Sequence, residues 1–417
     1  MQRFTDVACT ACGCVCDDLV VDVDEHGVVP VAGACRLAQP WFEQFQKPFS
    51  STPQIKGRNC SHEQAMEEAA RILRSSHAPL IYGLSQSSTG GQRAAVELAD
   101  QLGAVIDTTA SVCHGPSIVA IQQVGESTCT LGEIKQRADL VIFWGANPAV
   151  SHPRHLERYS ADPASEFLPN GRGDRTVVVI DVEETETARA ADLFHRVEPG
   201  QDFELIWRLR SLIAGHDNGD ATSAERQLAE LMKNCRYGVI FFGLGIAQSH
   251  LGHGTVSGLL RLVAELNAHT RFTARRMRIP GDVSGADSVL CWQTGYPFAV
   301  DFSRKYPRYN PDEFTANELL ERHDVDVCLL VGIESVSEFS DDARDWLSSI
   351  PVIALDTPAA LWDTQYHVQI PTATYGIHEP GTAYRMDETP IPLRKLVDTT
   401  LPSDEQVLAD LCRRFTL

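Results

Sequence analysis

From residue 50 onward the chain repeats one pattern: a short apolar run, a turn at Gly or Asp, then an amphipathic stretch. The apolar runs lie at 79–82, 140–144, 177–180, 239–242, 327–331 and 352–355, and they are rich in β-branched and aromatic side chains. Short unbroken runs of this kind predict strands buried on both faces. Between them a 3.6-residue periodicity predicts helices over 63–74, 92–102, 203–214, 255–267 and 317–322. The alternation predicts doubly wound α/β domains, whose ligands sit beyond the carboxyl ends of the strands. The segments at those ends are 83–86, 145–148, 181–184, 243–246, 332–335 and 356–358, and each opens on Gly or Asp. Such residues permit a sharp bend or a close approach to a ligand. One such loop is ordinary for any α/β protein; six of them predict a large crevice.

Composition narrows the class. The chain has 417 residues, 43% hydrophobic and 22% charged, which excludes disorder. Its 36 basic and 56 acidic residues leave a formal charge of −20, so a nucleic-acid partner is not expected. No apolar run approaches the roughly 20 residues of a membrane span, and the start of the chain lacks the apolar core of a secretion signal. A cytoplasmic protein is expected. A Cys-rich N-terminal domain is expected over 1–56, an α/β domain over 57–160 with 320–417, and a second α/β domain over 161–319. No series of strands that would form a C-terminal β-barrel follows.

Twelve cysteines are unusual for such a chain. Cys9, Cys12 and Cys16, with Cys35 further on, have the spacing of a four-thiolate metal site, and thiolates are soft ligands that suit zinc or iron–sulfur clusters. Structural zinc sites usually pair two Cys-x2–4-Cys knuckles, and the second is missing. A [4Fe–4S] cluster takes one thiolate per iron and accommodates three close ligands plus a distant fourth. A third reading is a set of unligated remnants. The stretch 17–31 alternates apolar and polar residues and predicts a hairpin returning the chain to the cluster. Cys14 lies outside the ligand spacing and is not expected to be a ligand.

Several long stretches carry a resemblance. They are CTACGCVCDD (9–18), YGLSQSSTGGQRAAVELADQLGAVID (82–107), SVCHGPS (111–117), TLGEIKQRADLVIFWGANPAVSHPRH (130–155), WQTGYPFAVDFSRKYPRYNP (292–311) and GIHEPGTAYRMDETPIPLRK (376–395). The chain resembles the molybdopterin or tungstopterin oxidoreductases and, much more closely, the B subunits of formylmethanofuran dehydrogenases. The resemblance implies a complex of one-carbon metabolism with partner subunits of the A, C and D types, handling formyl groups on methanofuran or methylofuran. It implies a [4Fe–4S] cluster on Cys9, Cys12, Cys16 and Cys35, and a Mo- or W-bis-pterin guanine dinucleotide with Cys113 as metal ligand. His114 and Arg278 complete the matching catalytic positions. The thiolate suits Mo or W, the imidazole can move a proton, and the Arg fork can hold a carboxylate. Gly145, Asn147, Asp181, Thr185, Gly243, Gly245 and Gln248 match the cofactor loops.

Other loops depart from the family. Asp181-Val182-Glu183 stands where Asp-Pro-Arg is common, and an acid there opposes a phosphate. The loop 332–339 loses a His and gains acids, among them Glu334. The stretch 277–282 lacks the His and Tyr that usually follow Arg278, and 364–367 departs from the usual acidic run. GTAYRMD is intact. Altered cofactor loops beside intact structural motifs imply a relative of the bacterial formyltransferase/hydrolase complex, in which the B component is largely structural. The alternative is a working Mo or W dehydrogenase subunit. A generic nucleotide-binding α/β enzyme would leave the cysteines and long matches unexplained. His152 and His155, in SHPRH, are expected to fix a loop start by hydrogen bonding. The stretch 292–311 reads as an ordered loop, either packed internally or offering Tyr306 and Arg308 to a partner subunit.

Overall fold

The computed structural model describes residues 2–416 except 25–26, 47–49, 218, 250, 334–335 and 362–363; Glu334 thus lies outside the described residues. Two compact units are present, residues 1–112 with 279–417, and residues 113–278. In the first, five parallel strands run in the order Val105–Thr108, Pro79–Gly83, Val327–Val331, Val352–Asp356 and Val368–Pro371. Short antiparallel strands extend both edges. The winding reverses between Pro79–Gly83 and Val327–Val331, which is where a doubly wound sheet opens a crevice. Gly83 needs to be glycine there: its φ is 118° and the Val331 backbone leaves no room for a Cβ.

Local signals explain the helices around this sheet. Helix His62–Ser75 starts at a capping box, with Gln64 N–H donating to Ser61 Oγ at 3.2 Å and Ser61 N–H to Gln64 Oε1 at 2.9 Å. Its apolar face, including Ala65, Met66, Ala69 and Leu73, enters the core. Helix Thr89–Leu102 starts at Ser88 and ends at Gly103 in the left-handed conformation. The N-terminal segment adds a three-stranded antiparallel sheet, Gln2–Val7, Leu19–Asp24 and Gly27–Ala32, whose last two strands are the predicted hairpin.

The second unit holds a five-stranded parallel sheet in the order Leu193–Arg196, Thr176–Asp181, Leu140–Trp144, Tyr237–Phe242 and Arg271–Arg276. Leu140–Trp144 is expected from sequence in the first α/β domain; it instead lies at the centre of this second sheet. Its five buried residues pair with buried strands on both sides, so they cannot leave this core. The units accordingly divide near 112 and 278 rather than near 160 and 319. No closed barrel occurs among the described residues; Gly381–Tyr384 and Pro390–Leu393 form only a two-stranded hairpin. No described helix is long and apolar enough to cross a membrane.

Candidate metal and cofactor sites

The first unit gathers the N-terminal cysteines. Cys9, Cys12 and Cys16 are buried and Cys35 is half-buried. Cys9 N–H donates to the Cys16 carbonyl at 2.8 Å and Val15 N–H to the Cys12 carbonyl at 3.1 Å, closing a tight loop. Val15 has φ 36° and is fully buried, a conformation that a β-branched residue adopts only when its surroundings enforce it. Its surroundings are a small core of Ala8, Tyr375, Ala383, Ile391 and Leu393. Met386 N–H donates to the Gly13 carbonyl at 2.8 Å, so the GTAYRMD hairpin holds the cysteine loop from one side. Gly281 packs against Thr10 with no space for a Cβ.

Burial pushes the Cys9 thiol well above its ordinary range, and repulsion from Cys12, Cys16 and Cys35 adds to this. The four expected ligands are therefore neighbours. Among the described residues no three His, Cys, Asp or Glu side chains are spaced to hold a single ion. One ion with thiolates at about 2.3 Å needs sulfurs about 4 Å apart, whereas one thiolate per iron of a four-iron cluster spreads them wider. Four soft sulfur donors, three of them buried, are the ligand chemistry such a cluster takes.

The second unit carries the other candidate centre at its two chain ends. Cys113 is half-buried. His114 precedes helix Gly115–Val124, which has Pro116 in its first turn. The His114 ring is 1% exposed, with Nε2–H donating to the Met277 carbonyl at 2.9 Å and Nδ1 lying 3.1 Å from Ser117 Oγ. A carbonyl only accepts, so Nε2 carries the proton and Nδ1 accepts. Burial and the Arg278 and Arg276 charges push this imidazole well below its usual range. His152 is a second pin: its Nε2–H donates to the Arg278 carbonyl at 2.8 Å, and burial brings it down to about 4. The Arg278 side chain is itself 2% exposed. Both imidazoles are neutral and engaged at both ring nitrogens. Their geometry fixes backbone, whereas a proton carrier needs a free nitrogen.

The strand-end loops of this unit are occupied by one another. Gly145, with φ 55°, packs on Gly245, and Gly243 packs on the Gly145 carbonyl with no room for a side chain. The Asn147 side-chain oxygen accepts from Thr187 Oγ1 at 2.7 Å, and Thr185 caps the short helix Glu186–Arg189. Asp181 accepts from Val182 N–H at 2.8 Å; burial, then Asp202 and Glu183, push its carboxyl up. Glu183 and Gln248 are exposed.

Three similarities to known proteins bear on these sites. The B subunit of tungsten-containing formylmethanofuran dehydrogenase 2 from Methanocaldococcus jannaschii is 40% identical over 425 residues, covering 98% of both chains. The chain belongs to the family of formylmethanofuran dehydrogenase B subunits. The B subunit of the formyltransferase/hydrolase complex Fhc from Methylorubrum extorquens is 27% identical over 300 residues, covering 71% of this chain and 74% of that one. A chain in the crystal structure of the FhcABCD complex from the same organism, with methylofuran, matches the fold at a TM-score of 0.74 and 22% identity, over 87% of this chain and 98% of that chain. No family model matches. These relatives are subunits of enzyme complexes.

For this formylmethanofuran dehydrogenase-type subunit, sequence reasoning passed over two organising residues. Asp282 is completely buried, accepts from Gln92 Nε2 at 3.1 Å and from Tyr384 N–H at 2.5 Å, and gives its own N–H to Ser85 at 3.0 Å. It joins the loop after Pro79–Gly83, the segment after Arg278 and the GTAYRMD hairpin. Its position in a departing motif was visible; its role as a hub was not. Asp107 is the second, accepting backbone N–H groups of Thr108, Ala299 and Ala316 at 3.0, 3.0 and 2.7 Å. It thereby ties the 292–311 stretch to the sheet. Within that stretch Arg308 turns back onto Asp301, while Tyr306 is 53% exposed.

Proposed function

We propose that this chain is the B component of a complex handling a formyl group on a furan-type carrier, with partner subunits of the A, C and D kinds. In this reading it holds a [4Fe–4S] cluster on Cys9, Cys12, Cys16 and Cys35, and its part in formyl chemistry is largely structural, as in a formyltransferase/hydrolase complex. The supporting observation is the capture of strand-end N–H groups by the chain's own carboxylates. A phosphate-bearing cofactor is held by free loop N–H groups and by Lys or Arg. Here Asp356 accepts from Ile333 and Thr357 N–H at 2.8 and 2.6 Å, and Asp181 accepts from Val182. Adjoining cavities of about 480 and 300 Å³ in the first unit include Asp398, Asp356 and Asp404 in their described lining but no Lys or Arg. Burial raises the carboxyls of Asp356 and Asp404, and in neither protonation state do they offer a phosphate the positive charge it needs.

The test is to purify the complex anaerobically, count iron, zinc, molybdenum and tungsten, and assay formate release from the formyl carrier. The expected result is about four irons per chain, no stoichiometric Mo or W, and formate release intact. Stoichiometric Mo or W with released pterin would overturn the structural role.

One observation favours a second reading, a working tungsten enzyme: the 40% identity to a tungsten-containing relative spans 98% of the chain. Cys113 would then supply a thiolate to the metal, which would carry the electron transfer. Arg278 would stay the carboxylate-binding candidate. His114 and His152 would position the backbone at Met277 and Arg278.

A further inference from the structure

The two adjoining cavities of the first unit combine aromatic rings with hydrogen-bond acceptors. The smaller, about 300 Å³, includes Trp41, Phe45, Asp356, Thr374 and Asp404 in its lining; the larger shares Phe45 and adds His378. Phe45 meets Trp41 edge-on at 5.2 Å and His378 at 5.6 Å, so the three rings form one connected group. Both carboxylates of the smaller cavity keep acceptor capacity. Asp356 accepts N–H from Ile333 and Thr357, and Asp404 accepts from Ser87 Oγ and from Glu405 N–H, whereas an ionised carboxylate offers about four acceptor sites. Asp398, in the larger cavity, is already paired with Lys395 at 3.0 Å. A second observation is independent of the acids. Thr374 is only 8% exposed, and its Oγ1 has no hydrogen-bond partner. A buried hydroxyl left so is costly, and a ligand's polar group removes the cost.

We propose that the smaller cavity binds a small primary ammonium carried on an aromatic or apolar arm. Its N–H groups go to Asp356, Asp404 and Thr374 Oγ1, and its arm lies against Trp41 and Phe45. An ammonium offers three donors and no acceptor, which matches two carboxylates and a hydroxyl oxygen that all accept. Aromatic rings attract a cation and shelter its apolar arm. An organic anion would meet no Lys or Arg in the described lining. A divalent ion needs several clustered ligands, and no group of three His, Cys, Asp or Glu able to hold one occurs among the described residues. This goes beyond formyl handling, and it rests on the reading that no pterin dinucleotide fills the crevice.

The experiment uses the purified complex, its pterin content measured first, and three probes of one shape: benzylamine, benzyl alcohol and benzoate. Each is titrated by isothermal calorimetry at neutral pH. The expected result is saturable binding of benzylamine, binding of the alcohol weaker by about tenfold or more, and no binding of benzoate. Thr374→Val keeps the side-chain shape and removes a hydroxyl that holds no partner. It should leave Tm unchanged without ligand and weaken benzylamine binding about tenfold. Asp404→Asn should weaken it at least as much. In a pterin-free complex, no binding of benzylamine, or equal binding of benzylamine and benzoate, overturns the proposal. Benzylamine binding that neither substitution weakens also overturns it, because the amine then sits elsewhere. Stoichiometric pterin overturns the reading beneath the proposal, and the pterin measurement separates that failure from the others.

Discussion

Asp107 gives a measurable consequence of burying a carboxylate. Its side chain is completely buried at the end of strand Val105–Thr108, and burial raises it from 3.8 to about 6 despite three backbone N–H donors. The folded state therefore binds a proton more tightly than the unfolded chain. Stability from that proton is fully present below pH 3.8 and is lost as pH rises through 6. A shift of about two units is worth about 3 kcal/mol, because each unit is about 1.4 kcal/mol. About 2 kcal/mol of this falls between pH 7.5 and 4.5. Asp107→Asn removes the titration. It also turns an amide donor toward one of the N–H groups that Asp107 now accepts, a fixed cost of about 1–3 kcal/mol. Urea unfolding of both proteins at several pH values separates the two effects, since every other titrating group cancels in the difference. Wild type should gain about 2 kcal/mol on the variant between pH 7.5 and 4.5. A stability difference that is flat with pH would falsify the assignment of a raised carboxyl to Asp107.

Four further outcomes are expected. His152→Leu leaves the Arg278 carbonyl without its buried donor and should cost about 1–3 kcal/mol, read as a lower Tm; an unchanged Tm contradicts the pin. Gly243→Ala drives a methyl into the Gly145 carbonyl and should cost about 1–3 kcal/mol or more. Gly200→Ala meets no atom and costs only its φ of 81°, about 1 kcal/mol; equal losses in these two would remove the packing account. Arg308→Ala strips the guanidinium from buried Asp301, leaving it only Ser303, and should lower Tm, whereas Tyr306→Ala should leave Tm unchanged. If Tyr306→Ala lowers co-purification of other subunits at unchanged Tm, that ring is a partner contact. Cys35→Ser should lower iron per chain and leave the α/β units folded, shown by an unchanged far-ultraviolet circular dichroism spectrum; full iron content would exclude Cys35 as a ligand.

Much of the fold was legible because strands buried on both faces cannot disguise their composition. All six apolar runs lie within observed strands, and the five helical stretches match observed helices to within three residues at either end. The strands that escaped carry polar residues with private partners. Val105–Thr108 includes Asp107 with its three donors, and Arg271–Arg276 ends on two arginines, Arg275 buried and Arg276 half-buried. A side chain satisfied by distant backbone looks like a surface residue in one dimension. The same reason hid the division of the units, since apolar composition does not say which sheet a strand joins. At the candidate sites, the cysteine spacing located a group of neighbouring thiols. What Asp282 and His152 touch depends on segments more than a hundred residues away.

The two imidazole pins also bear on the order in which the chain assembles. The second unit interrupts the first, separating its early strands Pro79–Gly83 and Val105–Thr108 from the later strand Val327–Val331 that pairs with Pro79–Gly83. Closing a floppy loop of about 165 residues costs roughly 4–5 kcal/mol of chain entropy. The His114 bond to Met277 and the His152 bond to Arg278 tie the beginning of the inserted segment to its end. Once that unit has folded, its start and exit points are neighbours, and the interrupted sheet closes across a short gap. On a ribosome the early strands would wait with open edges until the insert had emerged and clasped. Weakening the clasp should therefore slow maturation of a unit to which neither histidine belongs.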